Sequence, residues 1–279
     1  MEARPGEGVA RCRQLFMNEK APGAWRAVLG WTLVAVLLLN VSSVLAHWVG
    51  APPMLVVAFG TVVAMGGTAA WAERAIPGGR AWWRWGSCSR GHVVGATALG
   101  VGVGLVGTLL LLGTAALWPG GPELLAAREV VLAPLLRVDD ARWIPVVVLV
   151  LALLPGVFEE GLYRGVLRHL LLTWSPTRRV LFLALCFAGA HLDVLGFVGL
   201  FVAGVAFGWL AERGGGVGLA IIGHVAMNAF NAVVLVRVAT LPGVAERPGV
   251  LLVALGVAGV LLVTVGVRLI GGRGEMKRR

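Results

Sequence analysis

Apolar residues run through this chain in long, nearly unbroken tracts separated by short polar punctuation, without the alternation that marks half-buried helices or strands. A helix needs roughly 20 mostly apolar residues to cross a bilayer, and on that measure the tracts predict about eight spans. They lie at roughly 27–46, 52–71, 93–117, 143–163, 180–196, 197–212, 215–236 and 249–270. The longest polar connection, Pro119 to Arg142, mixes acidic and basic residues with leucines and predicts a short interfacial helix. The fold class is therefore all-α, a polytopic membrane helical bundle. Around it the pattern places a cytoplasmic N-terminal segment at 1–26, a transmembrane domain at 27–270 and a basic cytoplasmic tail at 271–279.

Composition sharpens this picture. With 58% apolar residues, 14% charged residues and a mean hydropathy of +0.87, the chain lies outside the range of an ordinary soluble domain. A net charge of +10 invites a nucleic-acid partner, but the basic residues sit at the ends of apolar tracts and form no stripe, so none is expected. Topology explains them better. With both termini cytoplasmic, only Arg128, Arg137, Arg142, Arg237 and Arg247 of the 24 Lys and Arg fall on the opposite side, as the positive-inside rule requires. The expected location is a bacterial inner (plasma) membrane, with the lipid bilayer itself as a partner. The first apolar tract is too long for a cleavable signal and should remain as a span. Cys12, Cys88 and Cys186 fall on the inner side or within a helix, where no structural disulfide is expected.

The third span carries a glycine-rich run from Gly95 to Gly113, a pattern that lets helices approach closely in lipid. Trp82, Trp83 and Trp85 beside Arg80 and Arg84 read as an interfacial belt. Pro145 and Pro155 are expected to kink the fourth span.

Against this apolar background stand the adjacent carboxylates Glu159 and Glu160, with Arg164 following. Ionisable groups within membrane segments are costly and by default mark a functional site. Glu160 and Arg164 are four apart on one helix face and can pair; Glu159 points about a quarter-turn away and stays available for proton chemistry. His191 lies about 12 residues into its tract, some ~18 Å deep, and His224 about 10 residues into the next, some ~15 Å deep. Asn228 shares the face of His224 at a four-residue spacing. If the fourth span continues toward Leu172, the glutamates reach a similar level. Two carboxylates, two imidazoles and an amide at one depth can activate water through a Glu or His base and stabilise an oxyanion through a His or Asn donor. Glu159, His191 and His224 could instead ligate a divalent metal such as zinc, although no HExxH is present. Asp193 and Asn231 lie near these groups and are candidates for touching substrate.

Glu159 to Arg164 fits EExxxR, Phe187 to His191 fits FxxxH, and His224 to Asn228 fits HxxxN. In this order the motifs resemble those of the CAAX prenyl protease and bacteriocin-processing (CPBP, or Abi) intramembrane proteases, over a core of about 143–240. The resemblance implies an intramembrane endopeptidase acting on a membrane-associated or lipidated peptide. In it Glu159 and His191 would activate water, His224 and Asn228 would line the oxyanion site, and Glu160 and Arg164 would support them, with Phe187 packing beside the site. Members have been described both as glutamate-dependent enzymes needing no cofactor and as metalloproteases, so zinc stays open. A transporter or channel that relays protons or cations through the same buried groups is the alternative.

Overall fold

The computed structural model describes residues 23–75, 84–136, 140–235 and 248–271. Cys12, Arg80, Trp82, Trp83, Arg137, Arg237, Arg247 and most of the segments 1–26 and 271–279 lie outside them. Among the described residues the chain is helical, without a strand. Among the described residues six helices are long and apolar enough to cross a membrane: α1 (Ala24–Trp48), α2 (Pro53–Ala75), α3 (Arg90–Leu117), α5 (Ala141–Leu170), α7 (Phe197–Gly214) and α9 (Gly249–Gly271). Two shorter helices, α6 (Pro176–Ala190) and the apolar α8 (Gly218–Val234), occupy two of the other expected spans, so the count of about eight is approximate. The connection between α3 and α5 holds α4 (Gly121–Leu132), the short helix expected there.

The bundle is built around α3, which packs against α7, α8 and α9. Its glycines make this possible. A Cβ on Gly100 would lie 2.0 Å from the carbonyl oxygen of Gly223 on α8, so no larger residue fits without moving one helix. Gly95 and Gly266 make a similar approach between α3 and α9. Lipid tails are as apolar as leucine, so close backbone packing of this kind holds membrane helices together. The outward faces of α1 and α9 keep large side chains such as Leu33, Leu37, Val253 and Val257 exposed, which is the surface a helix presents to lipid.

Helix α5 is not uniformly wound. Its turns widen to π geometry at Leu149–Leu153, just before Pro155, and again at Gly161–Leu167, just after the glutamate pair. Proline has no N–H to donate and crowds the preceding turn; a widened turn absorbs both effects. The helix continues to Leu170, which takes Glu159 and Glu160 away from its end and into the bundle.

The fifth predicted span needs correction. Instead of running from 180 to 196, α6 starts at Pro176 behind a Ser175 cap and ends at Ala190. Beyond it Leu192 adopts a left-handed conformation (φ 52°), and the Asp193 carboxylate accepts the Gly196 N–H at 2.9 Å ahead of α7. His191 therefore closes a short helix instead of occupying the middle of a long one. Fifteen residues span ~22 Å, less than the ~30 Å hydrocarbon thickness, so α6 by itself is too short to cross it.

Candidate active site

Glu160 is completely buried on α5, and its Oε1 accepts two hydrogen bonds. One comes from Arg164 Nη1 at 3.0 Å, the i, i+4 pair read from the sequence. The other comes from His224 Nδ1 at 2.9 Å, across from α8. A carboxylate can only accept here, so Nδ1 of His224 carries the proton and Nε2 is the nitrogen left for other work. Arg164 donates through Nη2 to the Gly204 carbonyl of α7 at 2.8 Å. One guanidinium thus ties α5 to α7, while its glutamate ties α5 to α8.

Aromatic rings enclose this ion pair. The Arg164 guanidinium lies 4.7 Å from the centroid of Phe187, which stands edge-on to Tyr163, His191 and His224. Phe207 of α7 stacks on His224 with centroids 4.8 Å apart and planes 16° from parallel. Apolar walls of this kind keep water from screening the pair and fix the orientation of both imidazoles.

Glu159 behaves differently from its neighbour. It faces His191, with Oε2 3.9 Å from Nε2, and this carboxylate oxygen is buried without a hydrogen-bond partner among the described residues. His191 Nδ1 lies 2.8 Å from the Phe187 carbonyl. A carbonyl only accepts, so Nδ1 donates, and when the ring carries no second proton Nε2 presents a lone pair toward Glu159. Two acceptors face each other across a gap too long for a direct hydrogen bond. A single water, with two protons to donate, can reach both. The imidazole is 31% exposed, so the pair has access from outside the packed core.

The sequence-derived residues are thereby brought into two linked groups. Glu160, Arg164 and His224 form a buried, mutually bonded set, and Glu159 and His191 form a facing pair joined to it through Phe187. Asn228 is half-buried one turn beyond His224 on α8. The conditional zinc set of Glu159, His191 and His224 does not converge: among the described residues no three His, Cys, Asp or Glu side chains group to hold a metal ion.

Three contributors escaped the sequence reading. Gly204 acts through a backbone carbonyl, and Phe207 looks like any other aromatic in an apolar tract. Glu212 bridges Arg168 and Arg179 at 2.8 and 2.9 Å and pins the end of α5 to α6 and α7. Only the last left a trace, as an isolated acid near a helix end opposite unassigned arginines.

Comparison with known proteins agrees with the motif resemblance. Residues 141–230 match the family described as Rce1-like, type II CAAX prenyl endopeptidase. No curated protein and no solved structure matches the chain. The matched segment runs from the start of α5 into α8 and contains every residue of the two linked groups, and over this segment the chain is similar to the Rce1-like family.

Proposed function

We propose that this protein is an intramembrane endopeptidase that hydrolyses a peptide bond of a membrane-associated or lipidated substrate, with both termini on the cytoplasmic side of a bacterial plasma membrane. The observation that carries this reading is the Glu159–His191 pair: a buried carboxylate oxygen with no partner, 3.9 Å from an imidazole nitrogen whose tautomer is set by the Phe187 carbonyl. Water placed between them donates to both, which orients its lone pair toward a bound carbonyl carbon. As the water oxygen attacks, Glu159 takes its proton. The same proton then passes to the leaving amide nitrogen as the C–N bond breaks, so a new carboxylic acid and a new amine are released, and the acid's proton moves on to the amine to leave a carboxylate and an ammonium.

Charge develops on the carbonyl oxygen during attack. His224, held through Nδ1 by Glu160, supplies a donor from Nε2 when its ring is protonated, and the Asn228 amide one turn away supplies another. Glu160 and Arg164 orient these groups without touching the substrate. Because no three-ligand metal set forms among the described residues, no step is assigned to zinc.

The test compares wild type, Glu159→Gln and His191→Ala at equal abundance, reading new peptide termini in membranes by mass spectrometry. General-base catalysis supplies roughly 10²–10⁴-fold in rate, so both variants should lose that much cleavage. Unchanged termini with either variant would refute the assignment.

A further inference from the structure

Among the described residues Leu192 is the only non-glycine with a left-handed backbone (φ 52°). A side chain crowds that conformation, so a leucine stays in it only where its surroundings leave no better choice. On one side of Leu192 is His191, whose imidazole faces Glu159 at 3.9 Å, and on the other is Asp193. Whatever holds Leu192 in place therefore also sets the backbone from which the imidazole projects.

One carboxylate holds the turn through both of its oxygens. Asp193 Oδ1 accepts the Gly196 N–H at 2.9 Å, which closes the turn, and Oδ2 pairs with Arg128 Nη1. Arg128 comes from α4, 65 residues earlier in the chain. Along that helix Leu125, Arg128 and Leu132 are half-buried at the i, i+3, i+7 spacing of one face, while Leu124, Val130 and Val131 stay exposed. Arg128 is the one charged residue on the inward stripe. Glycine leaves room for the pair, since a Cβ on Gly196 would lie 2.9 Å from the Asp193 Cγ and 3.4 Å from Arg128 Nη1. At its start α4 is held on α3, where Gly121 lies so close to the Ala115 carbonyl that no Cβ fits. Arg128 thus joins a helix seated on α3 to the turn that ends α6, from outside the matched segment 141–230 that contains the other residues of the site.

We propose that Arg128 is a positioning residue of the active site: acting through Asp193, it holds the crowded turn after α6 in the conformation that keeps the His191 imidazole opposite Glu159. The inference rests on the protease reading above and adds a residue, and a helix, on which the geometry of the water-activating pair depends. Arg128 touches neither the substrate nor the imidazole. Without its charge the Asp193 carboxylate loses one of its two partners, Leu192 relaxes toward an ordinary backbone conformation, and the imidazole turns away from Glu159.

The experiment uses the full-length protein in liposomes and the peptide that wild type cuts fastest from a pool of acyl-anchored synthetic peptides. Arg128→Ala, and Asp193→Asn, which keeps an acceptor for Gly196, should each lower kcat by roughly tenfold or more with KM within about twofold, since a misplacement of about 1 Å costs up to ~10²-fold. Arg128→Lys retains the charge and should retain most of the rate. Arg128→Ala added to Asp193→Asn should cost little more, because both variants break the same contact. Leu192→Gly separates positioning from a merely structural role: glycine takes the left-handed conformation without crowding, so in the Arg128→Ala background it should restore kcat to within about threefold of wild type. If Arg128→Ala does not fold, Asp193→Asn with and without Leu192→Gly makes the same comparison. Hydrogen exchange over residues 191–196 reads the turn without any cutting, and Arg128→Ala should speed it roughly tenfold while leaving α9 unchanged. An unchanged kcat, a loss of kcat that Leu192→Gly leaves in place, or unchanged exchange at 191–196 would overturn the assignment. Exchange that rises as expected in a protein whose wild type cuts nothing, or whose cutting survives Glu159→Gln, overturns the protease reading and with it the catalytic meaning of the tether.

Discussion

Replacing Arg164 by methionine should destabilise the protein by about 3 kcal/mol, and the size of that number follows from what the guanidinium does. Arg164 is 2% exposed and supplies one of the two hydrogen bonds to Glu160 Oε1, which lies in a shell of Phe187, Tyr163 and Phe207. Removing one partner of a buried ion pair typically costs about 3–5 kcal/mol, because the other charge is left in a medium that solvates it poorly. Two features moderate the cost. The carboxylate retains His224 at 2.9 Å, and the thioether of methionine keeps part of the contact with the rings. The unfolded chain in the membrane also finds other polar partners, which lowers the apparent worth of such contacts. The measurement is reversible unfolding in mixed micelles, followed for wild type, Arg164→Met, Glu160→Gln and the double variant. Glu160→Gln in the Arg164→Met background removes the stranded charge and should recover about 1–2 kcal/mol. A single variant within about 1 kcal/mol of wild type, or a double variant less stable than Arg164→Met, would refute the view that this pair is the keystone of the site.

The same reasoning reaches other parts of the molecule. Gly100→Ala should cost about 1–3 kcal/mol by driving α3 from α8, whereas Gly113→Ala, whose Cβ would meet nothing, should leave thermal stability in detergent unchanged within error. Glu212→Gln breaks the bridge to Arg168 and Arg179 and should lower stability by about 2 kcal/mol in the same unfolding assay, with the kind of residue preferred at the cut unaffected. Treating the purified protein with a zinc chelator should leave cleavage within twofold of the untreated rate; a loss restored by added zinc would mean that Glu159, His191 and His224 gather around a metal.

What could be read from the sequence divides along a physical line. Apolar tract length fixes where helices cross lipid, and a four-residue spacing fixes which neighbours on one helix can pair, so the spans and the Glu160–Arg164 bridge were both legible. The glycine run likewise announced close packing, because in lipid nothing but shape distinguishes one apolar face from another. Contacts between helices carry no such period. That His224 bonds Glu160, and that His191 opposes Glu159, follows from how α5, α6 and α8 cross, and only the shared motif order hinted at it. The misplaced fifth span shows the limit most clearly. Residues 180–196 are apolar enough to pass for one helix, yet Leu192 to Gly196 form a turn whose signals, an aspartate and a glycine, were outweighed by the surrounding hydropathy. The turn matters chemically, since a helix that continued through it would carry its following residues past the site. By stopping there, α6 leaves His191 at its end with one nitrogen on its own helix and the other turned toward Glu159. The break that hydropathy conceals is the one that sets this imidazole against the Glu159 carboxylate.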